Sequence, residues 1–268
     1  MVSREGAAAP AAGREGEAIG AGTSPFELAL DVLQIAAAAA WTLVCVLAAL
    51  AVLLVTRRRR IPFLMARRLW APGLFAIGGV RLSVTGGERL DLAGPTVFAS
   101  NHQSYLDTPV LFAALPVPLS FILKEELRRM PLVGWYAAAM GMVFVDRHRR
   151  RAARETVEHA AALLRSGRSV VLFPEGTRSP DGELAAFKSG GFAAPIAAGA
   201  AVVPIAIAGA GRVLPPRGFA VRAGTVRVVI GSPIPVDGLA AQDRDTLAAQ
   251  VRARVGELLA EARVPTGV

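Results

Sequence analysis

A charge-free apolar run near the N-terminus is the strongest constraint on what this 268-residue chain can fold into. The 21 residues Ile35–Val55 contain no charged side chain, and four arginines, Arg57 to Arg60, follow almost at once. As a helix the run would extend about 31 Å, which matches a bilayer hydrocarbon core of roughly 30 Å. The arginine cluster predicts that the carboxyl end of the helix is cytoplasmic. We therefore expect an N-terminal helix in the plasma membrane and a cytoplasmic domain after it.

Two other interpretations of this run were weighed. A signal peptide requires a basic region before the apolar stretch, whereas the residues before this one are mainly acidic. Alternatively, the helix dips into one leaflet and pairs with Ile61–Val80, whose uncharged part, Leu69–Val80, is too short to span a bilayer. Spanning and one-leaflet attachment both remain open from the sequence. Residues 1–25 lack periodicity and predict a disordered arm, and residues 26–80 predict a membrane-anchoring segment.

The charge of the chain is unevenly distributed. The net charge is +9, but residues 1–56 contain two arginines and five acidic residues, so the remainder carries +12. A basic body suits an anionic membrane surface, an anionic substrate or nucleic acid, and composition does not choose among these. The single cysteine, Cys45, excludes a disulfide within one chain and a cysteine-rich metal site.

From about Arg81 the pattern changes to short apolar runs that alternate with helical segments, which predicts an α/β domain over residues 81–268. Amphipathic helices are expected at Arg151–Ser166 and Asp243–Ala262. This alternation predicts a mixed, largely parallel sheet flanked by helices. The predicted strands are Thr96–Ser100, Leu119–Leu123, Met142–Val145, Ser169–Phe173, Val202–Ala208 and Val221–Ile230.

The string NHQSYLD, residues 101–107, follows one of these predicted strands directly. His102 and Asp107 would lie on different faces of one continuous helix. They can meet if a loop carries His102 and a new helix begins near Asp107, with Thr108 as N-cap and Pro109 as the first helical residue. A carboxylate bonded to one ring nitrogen fixes the tautomer and leaves the other nitrogen free to accept a proton from a hydroxyl. Taken alone, such a pair is more often structural than catalytic.

A second string, FPEGTRS at residues 173–179, also lies where a predicted strand ends. Gly176 permits a close backbone approach, Thr177 offers a hydroxyl, and Arg178 has a planar guanidinium suited to phosphate oxygens. The same letters in isolation fit an ordinary turn equally well. Arg147, at the end of GMVFVDR, and Lys188 are candidates for further phosphate contacts. The other arginines near Arg147 are interpreted as a solvated or lipid-facing surface.

In this order, the strings NHQSYLD, GMVFVDR, FPEGTRS and VVPIAI resemble the four motif blocks of the glycerolipid acyltransferase family. They are most similar to its 1-acylglycerol-3-phosphate acyltransferase branch. The resemblance covers residues 81–230, and the first and third blocks are highly specific. It implies that His102 is the catalytic base and Asp107 its orienting partner. It also implies that Arg147 and the stretch Glu175–Arg178 hold the phosphate of the acceptor.

The resemblance further implies a reaction. An acyl group would move from acyl-CoA or acyl-carrier protein to the sn-2 hydroxyl of 1-acylglycerol 3-phosphate, forming phosphatidic acid for phospholipid biosynthesis. No cofactor or metal is expected, because the acyl donor is a substrate. The expected partners are membrane lipids, the lysophospholipid acceptor and, where it is the acyl donor, acyl-carrier protein, with no nucleic acid.

Three alternatives remain from the residues themselves. The acceptor could be another lysolipid, such as an ornithine-type lysolipid, or glycerol 3-phosphate. A serine hydrolase would use Ser104 as its nucleophile, although the chain lacks a G-x-S-x-G elbow and Ser104 lies only two residues from His102. A non-enzymatic basic membrane or nucleic-acid adaptor would account for the charge but leaves the two motif strings unexplained.

Overall fold

The computed structural model describes residues 25–90, 94–145 and 150–264. The predicted arm therefore lies outside the described residues, except for Pro25, at which the first helix begins. Arg147 also lies outside them. The helices are α1 Pro25–Thr56, α2 Arg60–Met65, α3 Ala71–Gly78, α4 Asp107–Ala114, α5 Val133–Ala139, α6 Arg150–Arg165, α7 Ala193–Ala198, α8 Ala210–Val213 and α9 Arg244–Arg263.

Within those residues the strands form one seven-stranded sheet in the order β1-β7-β6-β2-β5-β3-β4. Neighbouring strands are parallel except β6 and β7, which are antiparallel. This arrangement confirms the predicted mixed, largely parallel sheet flanked by helices. The strands are β1 Val80–Thr85, β2 Val97–Ser100, β3 Leu119–Lys124, β4 Val143–Val145, β5 Ser169–Leu172, β6 Val202–Ala208 and β7 Gly224–Ile230.

The central strands β2, β5 and β6 are buried along their whole length because helices cover both faces of the sheet. Phe98 points into a core shared with α3, α4 and α5, whereas its neighbours Val97 and Ala99 point into a core shared with α6, α7 and α9. Strands buried on both faces carry near-continuous apolar runs, so the positions of these strands could be predicted from the sequence.

The N-terminal helices form an antiparallel hairpin in which α1 packs against α2, a π-helical turn at Ala66–Trp70, and α3. Hydrogen bonds from two tryptophan indoles, one on each side, hold the hairpin together. Trp41 Nε1 donates to the Trp70 carbonyl oxygen at 3.1 Å, and Trp70 Nε1 donates to Thr42 Oγ1 at 3.0 Å. Of the helices described, α1 is the one long and apolar enough to cross a membrane, judged by length and composition.

Both ends of the hairpin's long helix contact the α/β domain. Near the start of α1, Asp31 pairs with Arg222 at 2.5 Å. Just beyond its end, Arg59 Nε donates to the carbonyl oxygen of Ala139, in α5, at 3.0 Å. The helix is about 48 Å long at 1.5 Å per residue. It therefore lies along the domain over most of its length.

Three local expectations differ from the structure. The sequence pattern does not predict strand β1, whose side chains are mostly exposed, so its alternating apolar residues give only a weak signal. Strand β7 begins at Gly224 rather than Val221, because the Arg222 backbone N–H donates to the Val213 carbonyl oxygen and its side chain turns to Asp31. Helix α4 begins at Asp107, so Thr108 is not its N-cap and Pro109 is its third residue.

The hairpin contact can be tested at Gly73, on α3. A Cβ added there would lie 2.2 Å from Trp41 Nε1, so the indole must shift and its hydrogen bond to Trp70 is lost. We expect Gly73→Ala to destabilise the protein by about 1–3 kcal/mol, as overpacking usually does. Thermal unfolding followed by near-ultraviolet circular dichroism in detergent measures this loss. Gly87→Ala is the control, because its Cβ would meet open space; equal melting temperatures for the two variants would contradict the packing.

Candidate active site

Asn101 fixes the loop that leaves β2. Its side-chain Nδ2 donates to the Ile207 carbonyl oxygen at 2.9 Å, and its Oδ1 accepts from the Ile207 backbone N–H at 2.8 Å. The amide thus continues the hydrogen bonding between β2 and β6 one residue beyond the strand, where the side chain is almost fully buried. Buried backbone groups require such partners. As a result, the backbone of the next residue, His102, has a fixed position at the end of the sheet.

His102 and Asp107 meet as the sequence predicted. His102 Nδ1 lies 2.7 Å from Asp107 Oδ2. The same oxygen accepts the backbone N–H groups of Gln103 at 2.7 Å and Ser104 at 2.9 Å. Asp107 is fully buried, while the His102 side chain is 20% exposed. Because Nδ1 is held by the carboxylate, Nε2 is the ring nitrogen left to accept a proton.

Two residues of the FPEGTRS loop hold His102 from the other side. The Phe173 ring stacks on the imidazole, with centroids 4.1 Å apart. Glu175 Oε1 accepts the His102 backbone N–H at 2.7 Å, and its Oε2 accepts the Ala185 backbone N–H at 3.1 Å. Burial raises the pKa of the Glu175 carboxyl, and these two hydrogen bonds oppose that rise. Both oxygens of Glu175 are used within the protein, so it supports the site rather than reaching for a phosphate directly.

Arg178 is held in one orientation by two contacts. Its guanidinium lies over the Tyr105 ring, 3.6 Å from the centroid, and Nη1 donates to the Pro216 carbonyl oxygen at 2.9 Å. A stacked guanidinium keeps its remaining N–H groups in one plane, which is the arrangement that binds phosphate oxygens in pairs. The side chain is only partly buried, so those donors remain accessible.

Lys188 and Gly176 are neighbours in space. Gly176 has a φ of +77°, and a Cβ there would lie 2.8 Å from Lys188 Nζ. A side chain at residue 176 would therefore both strain the backbone and displace the ammonium group. Lys188 is anchored through its backbone N–H, which donates to the Pro174 carbonyl oxygen at 2.8 Å. Thr177, between Gly176 and Arg178, is exposed.

The structure thus gathers the predicted residues of the first and third motifs at the ends of β2 and β5. Arg147 cannot be placed, because it lies outside the described residues. Ser104 does not fit the serine-hydrolase alternative: it is buried, its Oγ donates to the Leu214 carbonyl oxygen at 2.7 Å, and the same Oγ accepts the Leu106 backbone N–H. A hydroxyl used in this way is not available as a nucleophile.

The sequence patterns predict no role for Asn101, Tyr105 or Phe173. All three belong to the quoted motif strings, so their positions were visible, but their functions depend on partners elsewhere. Asn101 pairs with Ile207, 106 positions away, and Tyr105 stacks on Arg178 in the next motif. Phe173 was expected only to end a strand. No spacing within one string indicates these contacts.

An apolar groove of about 470 Å³ lies beside the Tyr105 side chain. Its walls come from α1, α3, the start of α4 and the loop before α5, including Val46, Leu74, Pro109 and Leu132. The groove therefore joins the N-terminal hairpin to the loop that carries His102. Among the described residues, no group of three histidine, cysteine or acidic side chains is arranged to hold a metal ion.

A family model described as acyltransferase matches residues 81–208, which include all four motif strings. A chloroplastic 1-acyl-sn-glycerol-3-phosphate acyltransferase of Arabidopsis thaliana is 35% identical over 202 residues, covering 75% of this chain and 54% of that protein. A 1-acyl-sn-glycerol-3-phosphate acyltransferase of Pseudomonas aeruginosa is 36% identical over 186 residues, covering 69% of this chain and 71% of that protein.

The fold has a solved counterpart. The crystal structure of the 1-acyl-sn-glycerophosphate acyltransferase PlsC from Thermotoga maritima aligns with a TM-score of 0.78 and 26% sequence identity, covering 91% of this chain and 98% of that one. The chain spans about half the length of the chloroplast relatives that it matches and most of the bacterial relative. The motifs, the family model and these similarities agree that the chain belongs to the glycerolipid acyltransferase family, among the sequences of its 1-acylglycerol-3-phosphate acyltransferase branch.

Proposed function

We propose that this protein transfers a fatty acyl group from acyl-CoA or acyl-carrier protein to the sn-2 hydroxyl of 1-acylglycerol 3-phosphate, forming phosphatidic acid. The observation that carries the proposal is the 2.7 Å contact between His102 Nδ1 and Asp107 Oδ2 beside the loop that contains Arg178. It combines a base for a hydroxyl with a cation for a phosphate. The printed names of the relatives describe acyltransferases for this acceptor.

The proposed reaction transfers the acyl group directly from the donor to the acceptor. His102 Nε2 removes the proton from the acceptor hydroxyl as that oxygen attacks the thioester carbonyl carbon of the donor. The tetrahedral intermediate collapses, the carbon–sulfur bond breaks, and the imidazolium returns its proton to the leaving thiolate. The acceptor oxygen is itself the nucleophile, so no acyl-enzyme is required. The buried state of Ser104 agrees with a direct transfer.

Asp107 supports this proton transfer through its charge. The carboxylate is fully buried, and its Oδ1 has no hydrogen-bond partner among the described residues. Removing a carboxylate from water without full compensation is costly, so the buried carboxylate attracts the positive charge that the ring gains as the acceptor attacks. Formation of the imidazolium during attack then stabilises both groups. The two backbone donors on Oδ2 keep the carboxylate in place throughout.

The apolar groove suits an acyl chain. It lies beside Tyr105, whose ring carries Arg178 on one side, so an apolar wall and a phosphate-binding cation are adjacent. A lysolipid likewise has its acyl chain and its phosphate close together. The depth of this groove, rather than any motif, would then set the preferred chain length.

The N-terminal hairpin is proposed to lie in one leaflet and hold the domain, residues 81–268, at the cytoplasmic face of the plasma membrane. If α1 spanned the bilayer, its first turns would lie on the opposite side from the catalytic domain. Asp31 instead pairs with Arg222 of that domain, and Arg59 contacts it beyond the other end of the helix. The contacts at both ends favour one-leaflet attachment, one of the two alternatives open from the sequence.

Replacement of His102 tests the base. We expect His102→Ala to lower turnover of lysophosphatidic acid and a labelled acyl-CoA by at least about 10²–10⁴-fold, the usual contribution of a general base. His159→Ala is a matched control, because His159 is exposed on α6. The assay is repeated with acyl-carrier protein as donor, and the rate ratio gives the donor preference. A folded His102→Ala protein with near-normal rates would remove His102 from the mechanism.

Replacement of Arg178 tests the phosphate site. We expect Arg178→Ala to raise the KM for lysophosphatidic acid about 10- to 100-fold, the value of one or two charge-assisted hydrogen bonds. Turnover of 1-monoacylglycerol, which lacks the phosphate, should change much less. Arg244→Ala, at the exposed start of α9, is the control. Equal losses on both acceptors would assign Arg178 to the fold, and activity on ornithine-type lysolipid alone would change the assigned acceptor.

A labelling experiment tests the topology. Phe26→Cys in a Cys45→Ser background places the sole thiol at the exposed start of α1. One-leaflet attachment predicts reaction with a membrane-impermeant maleimide in inside-out vesicles and protection in intact cells. The opposite pattern would establish a spanning helix. Arg244→Cys in the same background marks the cytoplasmic domain.

A further inference from the structure

Outside the N-terminal hairpin, several large apolar side chains are exposed on two segments, 130–135 and 214–221, that line the apolar groove. Met130 is 46% exposed, Trp135 60% and Phe219 67%. Val133, which lies between the first two in sequence, is also exposed and lines the apolar groove. Phe219 lies in the segment between Leu214 and Val221, both of which line the same groove. We call Met130, Val133, Trp135 and Phe219 the rim patch.

The segment 130–135, which carries most of the rim patch, is rigidly built. The Gly134 backbone N–H donates to the Met130 carbonyl oxygen at 2.9 Å, and a Cβ at Gly134 would lie 2.4 Å from the Arg128 carbonyl oxygen. Leu132 has a φ of +65°, a strained value for a leucine. Such strain persists only where the surroundings over-determine the backbone, and it concentrates at functional segments. The exposed side chains are therefore held outward rather than left over from a loose loop.

The rim patch is continuous with the surface of the hairpin. Helix α5, which carries Val133 and Trp135, packs against α1. Arg59 bonds to Ala139 at the end of α5, and α1 and the 131–133 segment line the same groove. Helix α1 itself exposes many apolar side chains, including Leu43, Val44 and Leu47. One apolar surface thus extends from α1 past the groove to Trp135.

The charges around the patch fit a lipid surface. The exposed residue Arg129 directly precedes Met130, and the exposed Arg217 lies two residues before Phe219, whereas Arg128 is paired with Glu125 at 2.7 Å. Basic side chains beside tryptophan and other apolar residues are the composition that binds the boundary between headgroups and acyl chains.

We propose that the rim patch inserts into the same leaflet as α1 and forms a second membrane contact around the mouth of the groove. The catalytic domain then rests on the bilayer through two separate surfaces. A lysolipid can pass from the leaflet into the groove without exposing its acyl chain to water. This inference rests on the proposed one-leaflet attachment, but its main test measures membrane depth and does not require turnover.

The test uses Trp135, one of three tryptophans in the chain. The full chain is placed in phosphatidylcholine–phosphatidylglycerol vesicles with or without brominated acyl chains, and the emission of Trp135→Phe is subtracted from that of the wild type. We expect the Trp135 component to be quenched at least twofold by brominated lipid and shielded from aqueous iodide. Quenching by iodide alone would place Trp135 in water and overturn the proposal. Protection from both quenchers would indicate a protein partner and would overturn it as well.

A second variant separates membrane contact from folding. Met130→Ser combined with Phe219→Ser should shift the Trp135 component toward iodide quenching. It should also lower turnover of vesicle-borne lysolipid about five- to tenfold, with turnover of a short-chain lysolipid dissolved as monomers unchanged. Val84→Thr, an exposed apolar residue of β1 away from the patch, is the control. Unchanged quenching of Trp135 in the double variant would contradict a shared membrane contact, and equal losses on both substrates would assign the patch to stability.

Discussion

One oxygen of Asp107 accepts three hydrogen bonds, and the arrangement of the site depends on it. Oδ2 receives the imidazole Nδ1 of His102 and the backbone N–H groups of Gln103 and Ser104. These donors bend the loop tightly enough for a histidine five positions before the aspartate to reach it. The same bonds orient the ring, select its tautomer and hold a buried negative charge beside it. Without that carboxylate, the loop would lose the contacts that shape it and the imidazole the contact that orients it.

The loop after β5 adds contacts to His102 that the turn between His102 and Asp107 does not make itself. Phe173 stacks on the imidazole, and Glu175 joins the His102 backbone to that of Ala185, so the loops after β2 and β5 behave as one unit. Arg178 then extends from the second loop back over Tyr105 of the first. His102 and Arg178 are therefore positioned relative to each other by direct contacts, as the proposed transfer to a phosphate-bearing hydroxyl requires.

The N-terminal hairpin has a structural role as well as an apolar surface. The paired indoles of Trp41 and Trp70 close it, and contacts at Asp31 and Arg59 seat α1 along the α/β domain. This seating creates the apolar groove, because α1 and α3 form one wall and the α4 and α5 segments the other. The N-terminal hairpin thus also forms a wall of the groove beside the site.

The apolar central strands, the helical spans and the His102–Asp107 pair could be predicted from the sequence, because buried strands have continuous apolar runs and the pair lies within seven letters of one string. β1 was missed although its alternation of Val80, Leu82 and Val84 was visible, because an exposed edge strand carries only a weak apolar signal. What only the tertiary structure decided is the set of contacts between distant segments: Glu175 with the His102 backbone across 73 positions, Asn101 with Ile207, and Asp31 with Arg222 across 191. A local pattern encodes which face of an element is apolar, but the order of strands in the sheet determines which loops become neighbours.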